Sequence, residues 1–473
     1  VPIARFELVE EYGEAVLSGN AALFIGAGIS QGAGLPGWDG LLDPIRTSCN
    51  VPKHHDYPLV AEYIANELAG GVTALHDYIL QELTTAPFRP ALNHRLIARL
   101  RVPQVWTTNY DPLLELAMTA AGEGHAVAVD EQTIRLIASN QRAVIKMHGS
   151  ISGDPAGWDA LPVITRTDYE RYEIDHPRMW TVLRATYLSR TMLFLGFSFV
   201  DPNVEILLRL ARTLDTAPGD RHVAVLKTPD PHKADELRLH QLRIDDFQNS
   251  GIRVCEIADY GEITEILTQL LRRTRPARLF VSGSAAAGTT TADEDEQILG
   301  AWCLAIAREL DRETDWEIAS LQGPSGWLVT RDVAALRRIE GRYDPAKLTF
   351  HFRKKSGPPV QLPDRVGTAI YADRTREELV VDLLDESRAM LVVRGGSKTT
   401  EEIEWAVARD VGVVPLACSG GAAYDYWEAN QTAPPGLGAR PTDTGLWARL
   451  NDPDPANAAE AAHQLLAQAM YQR

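Results

Sequence analysis

Residues 23–38 read LFIGAGISQGAGLPGW. An apolar run, begun by Ala21 and Ala22, meets Gly26, Ala27 and Gly28 and is followed by Ser30. A run that is apolar throughout, rather than alternating, suits a strand buried on both faces, as in a parallel sheet. Glycines at its end let the backbone turn sharply and approach a pyrophosphate, whose charge is stabilised by N–H groups at a helix start. Similar runs recur at QVWTTNY (104–110), RAVIKMHGS (142–150), TMLFLGFS (191–198), HVAVLK (222–227) and IRVCEI (252–257). Helix-patterned segments separate them, which predicts βα crossovers and a doubly wound parallel sheet. Residues 41–100 hold few strand signals and several amphipathic stretches, such as LVAEYIANELAGG. A helical insertion beside the sheet is expected there.

The pattern breaks near residue 271. The segment LRRTRPARLF carries Arg272, Arg273, Arg275, Pro276 and Arg278. A short polar connection holding a proline marks a domain boundary, and the arginines also suit the basic end of the helix ITEILTQLLRR beside its dipole. A second series of strands follows: RLFVSGS (278–284), WEIASLQ (316–322), LTFHF (348–352), AIYAD (369–373), RAMLVVRGG (388–396) and GVVPLA (412–417). Helical stretches such as EDEQILGAWCLAIARELDRE and TREELVVDLLDES lie between them, and PANAAEAAHQLLAQAMYQR closes the sequence. The expected fold is α/β, with two Rossmann-like doubly wound parallel-sheet domains, residues 1–274 and 275–473, the first carrying the helical insertion.

Composition excludes several function classes. The 473 residues carry a net charge of −17, from 47 Lys and Arg against 64 Asp and Glu. That balance argues against a broad nucleic-acid surface, which needs clustered cations. No apolar run approaches the ~18 residues of a membrane helix, and the acidic, amphipathic start VPIARFELVEEYGEAV does not read as a secretory signal. Neither a membrane nor a nucleic-acid partner is expected. The cysteines, Cys49, Cys255, Cys303 and Cys418, form no CxxC pair and are too scattered for a disulfide framework. A cytoplasmic location and no bound metal are expected.

The residues after Ser30 are more specific than a bare Gly-x-Gly. Gly34, Leu35, Pro36 and Trp38 arrive at a spacing that resembles the sirtuin signature GAG-x-S-x-x-x-G-[IL]-P-x-[FW]. TTNYD (107–111) resembles the sirtuin TQN-x-D segment, KMHGS (146–150) the segment holding the catalytic histidine, and GFSFVDPN (196–203) the loop that closes over the cofactor. The resemblance covers roughly the first 270 residues and implies NAD binding at the carboxyl ends of the strands. It marks Asn109 and His148 as catalytic, and Gly26, Ala27, Gly28, Ser30, Gly34, Leu35, Pro36, Trp38, Asp111, Gly196 and Ser198 as NAD-contacting. The chemistry is compatible. An Asn amide orients a ribose or a water without titrating, and an imidazole takes a proton from either. Nicotinamide is already a cationic leaving group, so no acid is needed to expel it. Asp111 also reads as the N-cap of the helix PLLELAMTAAG, and Asp201 and Asn203 as caps. Deacylating sirtuins usually carry four zinc cysteines, a set this sequence lacks. That favours hydrolysis of NAD, the substrate, to nicotinamide and ADP-ribose, with a cyclised product as a variant outcome.

In the second half, RLFVSGS ends in Gly283 and Ser284, and RGGSKTTEE spans 394–402. Strand, paired glycines and a Glu-led helix resemble the SLOG group, whose enzymes carry PGG-x-GT-x-x-E. Arg394 stands where that motif has proline, and Lys398 where it has glycine, which suits a pocket gripping a phosphate better than a phosphoribohydrolase. Effector contacts are expected from Gly283, Ser284, Arg374, Gly395, Gly396, Lys398 and Glu402, with Arg376 alongside. Arg374 and Arg376 equally suit surface pairing with Glu377 or Glu378, and TTEE a simple cap. The order of the two domains resembles the Thoeris antiphage effectors. That resemblance implies activation by a cyclic ADP-ribose isomer made by a TIR-domain partner protein, and a homotetramer or larger assembly. A protein-modifying sirtuin (deacylase or ADP-ribosyltransferase) and a non-catalytic nucleotide-binding module are the competing readings.

Overall fold

The structure, a computed structural model, describes residues 2–85, 89–121, 124–137, 141–152, 157–197, 222–284, 292–321, 323–353, 366–438 and 440–470. The chain divides into two compact units, Val1–Thr274 and Arg275–Arg473.

The first unit is built on β1 (Ala21–Ile25), β2 (Gln104–Thr107), β3 (Ala126–Ala128), β4 (Ala143–Lys146), the small hairpin β5 (Ser150–Ser152) and β6 (Gly157–Ala160), β7 (Thr191–Leu195), β8 (His222–Lys227) and β9 (Ile252–Ile257). Seven of these make one sheet in the order β3-β4-β2-β1-β7-β8-β9, with parallel pairing throughout. Successive side chains on a strand point to opposite faces. Leu23, Ile25, Val105, Val144, Leu193 and Leu195 therefore pack on one side with the helices Arg5–Leu17, Leu92–Arg99 and Gly261–Arg273. Phe24, Trp106, Ile145, Met192 and Phe194 pack on the other with Pro177–Ser189 and Ala234–Gln248. The wholly apolar runs follow from this double burial. The insertion comprises the helices Trp38–Ser48, Tyr57–Glu67 and Gly71–Thr84, followed by Leu92–Arg99. Its own core of Leu42, Val60, Ile64, Leu75 and Ile79 includes Tyr110, Ile151 and Ile164 from the sheet side.

The second unit carries β10 (Arg278–Ser282), β11 (Glu317–Leu321), β12 (Leu348–Arg353), β13 (Thr368–Ala372), β14 (Ala389–Val393) and β15 (Gly412–Leu416). They pair in the order β13-β12-β11-β10-β14-β15, again all parallel. Leu279, Val281, Leu391 and Val393 face the helices Pro324–Ile339 and Pro455–Met470, and Phe280, Met390 and Val392 face Arg376–Asp385 and Ser397–Ala408. Arg272 and Arg273 do end a helix. Arg275 instead turns inward and is 2% exposed. Its guanidinium donates to the carbonyls of Asp385, Arg409 and Asp410, satisfying acceptors left over at two helix ends.

Candidate active site

The ends of four neighbouring strands set the site. Ile25 is in register with Thr107 and with Leu195, and Thr107 with Lys146. One step beyond this row lie Gly26, Thr108, Met147 and Gly196; two steps beyond lie Ala27, Asn109, His148 and Phe197. Asn109 and His148 thus occupy equivalent places past adjacent parallel strands. β1 is also where the strand order reverses, with β2 on one side and β7 on the other. Open α/β sheets bind ligands at that point, outside the carboxyl ends of the strands.

Gly26, Ala27 and Gly28 turn from β1 into the five-residue helix Ala27–Gln31. Their closest neighbour is protein backbone. A Cβ on Gly26 would lie 2.6 Å from the carbonyl oxygen of Gly196, and one on Gly28 2.9 Å from the same atom. The N–H of Gly28 donates to that oxygen at 2.9 Å. The glycines therefore let the β1 and β7 ends touch, a packing reason the sequence signature does not reveal. Gly34 closes the next turn through its N–H to Gln31 O, and Leu35 is buried. Pro36 is half-buried just ahead of Trp38, whose ring stacks on Tyr57 of the insertion at 5.7 Å. Ser198, Asp201 and Asn203 lie outside the described residues.

Ser30 is the hub of a buried polar cluster. Asn109 Nδ2 donates to Ser30 Oγ at 3.0 Å and to Gly26 O at 3.2 Å, and Ser30 Oγ donates to Asp111 Oδ2 at 2.9 Å. His94 Nε2 lies 3.4 Å from the same hydroxyl. His94 Nδ1 accepts the Ala91 N–H at 3.2 Å, so the neutral ring carries its hydrogen on Nε2 and donates to Ser30. The hydroxyl then uses its one donor and both acceptors. Burial pushes the His94 imidazole down in pKa, against the opposing charge of Asp111. Asp111 Oδ1 also accepts the N–H of Leu113 at the start of Leu113–Ala120, so its carboxylate serves that helix end although Pro112 holds the N-cap position. Nothing in NHRLIARL singled out His94 as more than a helix residue; its signal is a histidine on the face that packs toward β1.

His148 is 1% exposed and packs edge-on against Tyr169 and Tyr172, at 5.1 and 5.9 Å between ring centroids. Its Nδ1 lies 3.5 Å from the Tyr169 hydroxyl, and Tyr172 donates to the Met147 carbonyl. Among the described residues no group of His, Cys, Asp and Glu could hold a metal ion, and all four cysteines are free thiols.

In the second unit the strand order reverses at β10, between β11 and β14. Gly283 follows β10 and Gly395 follows β14, and the N–H of Gly395 donates to Ser284 O at 3.2 Å. A Cβ on Gly283 would lie 1.9 Å from Val393 O, so Gly283 is needed for backbone contact, and one on Gly395 would lie 2.6 Å from the Thr399 side chain. Gly396 precedes the helix Ser397–Ala408, and Lys398 is exposed in its first turn. The charged residues are already engaged. Arg376 binds Glu401 at 2.8 Å, Glu402 at 2.6 Å and the Lys398 carbonyl at 2.8 Å. Glu402 also accepts from Ser282. Arg374 lies 3.6 Å from Asp382. Hydrogen bonds to Thr375 lower the Glu378 carboxyl in pKa, and the Arg374 charge also helps to lower it. A largely apolar cavity of about 510 Å³ opens elsewhere, beside Ile403, Val407, Ala422 and Tyr426, and none of the sequence-selected effector residues lines it.

In comparison with known proteins, residues 103–247 match the SIR2-like domain family. The chain is 32% identical over 290 residues to the NAD(+) hydrolase ThsA of Bacillus cereus (strain MSX-D12), covering 59% of each protein. It is 32% identical over 306 residues to ThsA of Enterococcus faecium, covering 61% of this chain and 63% of that one. The match to the Defense-associated sirtuin 2 of Bacillus subtilis is 24% over 269 residues, 55% of this chain and 25% of the other. The matches thus span about three-fifths of the ThsA relatives' length. A solved complex of a Sir2 homologue with NAD aligns over 55% of this chain and 93% of that chain, at 13% identity and a TM-score of 0.34. The fold assignment rests on the sheet order alone.

Proposed function

We propose that the first unit hydrolyses NAD to nicotinamide and ADP-ribose, and that the chain is an antiphage defence effector that depletes cellular NAD. The observation that carries this reading is the equivalent placement of Asn109 and His148 beyond adjacent strands, next to the Ser30 hub at the switch point. The similarity to proteins named NAD(+) hydrolase supports the same substrate. In the reaction, the bond between ribose C1′ and the nicotinamide nitrogen breaks. The electron pair stays on nitrogen and neutralises the ring. A water oxygen bonds to C1′ and loses a proton. The Asn109 amide, held by Gly26 O and Ser30, orients the ribose or the water without carrying charge. The His148 imidazole receives the proton. Ser30 and Asp111 hold the amide in place.

The second unit is proposed as a SLOG-type sensor of a cyclic ADP-ribose isomer supplied by a TIR-domain partner. Gly283, Ser284, Arg374, Gly395, Gly396, Lys398 and Glu402 would meet the ligand, in a cytoplasmic homotetramer or larger assembly. The placement of Gly283, Ser284, Gly395, Gly396, Lys398 and Glu402 around the β10–β14 reversal supports this, while Arg374 follows the edge strand β13. An effector activates only by favouring the active arrangement over the resting one. His148 is buried here, so the favoured arrangement must give it access to the ribose. The test is nicotinamide release by the purified full chain with NAD and a panel of cyclic ADP-ribose isomers. One isomer should switch turnover on. NAD-dependent change of an acyl-lysine peptide, with no nicotinamide released when peptide is omitted, would overturn the hydrolase reading.

A further inference from the structure

Lys146 is the last residue of β4 and is fully buried. The reaction steps above make no use of it. A buried ammonium is costly unless its hydrogens find partners. Here Nζ donates to Tyr110 O at 3.0 Å and to Asp111 O at 2.7 Å, and pairs with Glu115 Oε1 at 3.0 Å. Three hydrogens meet three oxygens, all on the segment from Tyr110 to Glu115. Tyr110 and Asp111 lie outside regular secondary structure, beyond the end of β2. The Tyr110 carbonyl also accepts the N–H of Ile151 at 3.0 Å, whereas the Asp111 carbonyl enters no ladder and needs another donor. The two carbonyls belong to the peptide groups on either side of Asp111. Gripping both fixes the direction of the Asp111 side chain, and Asn109 is only two residues earlier. Lys146 itself sits two residues before His148, on the same strand.

We propose that Lys146 is a positioning residue: it clamps the loop that carries Asn109 and Asp111 to the strand that carries His148. The proposal rests on the NAD-cleavage reading. A purely structural buried lysine would only fill volume and balance Glu115, so removing both charges together would restore everything. A clamp would not be restored, because the Asp111 carbonyl loses its donor and the Tyr110 carbonyl keeps only the Ile151 N–H, on the hairpin beyond His148.

The experiment uses the full chain with Lys146→Met, Lys146→Met/Glu115→Leu, and Lys146→Gln/Glu115→Gln as a second neutral pair should the first not fold. Replacing both members of a buried ion pair by uncharged groups is often neutral for stability, whereas removing one partner is not. The single variant should melt lower and the double variant near wild type. At saturating NAD, both should release nicotinamide about 10- to 100-fold more slowly, the scale of a small misplacement of reacting groups. KM for NAD should stay within about threefold, since uniform binding is untouched. Amide exchange at residues 109–113 should be faster in the double variant at unchanged melting temperature. Wild-type kcat in a well-folded double variant overturns the clamp. If the wild-type chain releases no nicotinamide under any condition, the NAD reading fails by itself, and amide exchange alone then decides: faster exchange at 109–113 upholds the clamp, and wild-type exchange overturns it.

Discussion

At the ends of β1 and β2, Ser30, Asn109, Asp111 and His94 form one hydrogen-bonded cluster in which an amide, a neutral imidazole and a single carboxylate surround one hydroxyl. At the ends of β10 and β14, one cation, Arg376, is shared between two carboxylates, Glu401 and Glu402, the second of which also accepts from Ser282. Both lie where an open parallel sheet reverses its strand order. The topology makes a crevice in each case; the side chains decide what each crevice can do. The first cluster holds an uncharged amide in a fixed direction, which suits a reacting sugar. The second stores opposed charges that an anionic ligand can rearrange, which suits a sensor.

This contrast is open to attack from both sides. Of the two clusters, the hub should show the larger effect. Ser30→Ala removes the acceptor of Asn109 Nδ2 and the donor to Asp111, and nicotinamide release should fall about 100-fold at saturating NAD with effector dose unchanged. A smaller effect is expected at the charge cluster. Arg376→Ala frees Glu401 and Glu402 and should raise the half-activating effector concentration about tenfold while maximal turnover holds, read from dose curves of nicotinamide release. Lys398→Ala, at an exposed position, should shift the same curve by only about threefold. If Arg376→Ala lowers maximal turnover as far as Ser30→Ala, the division of labour is wrong.

The smallest effect separates stability from activity. Burial, helped by the nearby Arg278 charge, pushes the His351 imidazole on β12 down to about 4, from an unfolded value near 6.5. The unfolded chain then binds the proton first. Stability from this group is present above pH 6.5 and is lost as pH falls toward 4. Denaturation of the second unit should cost about 1–2 kcal/mol less at pH 5 than at pH 6.5 on this account. His351→Gln should flatten that slope.

Much of this was legible in the residues, and the exceptions have physical causes. Most of the twelve strand runs were readable because burial on both faces leaves them largely apolar; β13, exposed or half-buried along the sheet edge, was readable by composition instead. β3 escaped because it is three residues long, lies at the sheet edge and is only partly buried, so it has neither length nor pattern. The β5–β6 hairpin escaped for the same reason. Asn109 and His148 were picked out by the resemblance of TTNYD and KMHGS to sirtuin segments. His94 was not, because its partner Ser30 is 64 positions away and only the packed structure joins them. Lys146 offered a signal that is easy to overlook: a lone charge inside the buried run AVIK must have a partner nearby. For the effector residues, sequence placed the glycines at the reversal point but was silent on which carboxylates hold the arginines. Arg376 meets Glu401 and Glu402 across two helices rather than its own neighbours.

The account turns on the amide at 109 and the imidazole at 148 acting on one dinucleotide. The most direct measurement is nicotinamide release from NAD by wild type, Asn109→Ala and His148→Ala, each as the intact chain with matched melting temperatures and with an activating ligand present. Both variants should bind NAD yet release nicotinamide at the uncatalysed rate. Wild-type turnover in either one would contradict the account.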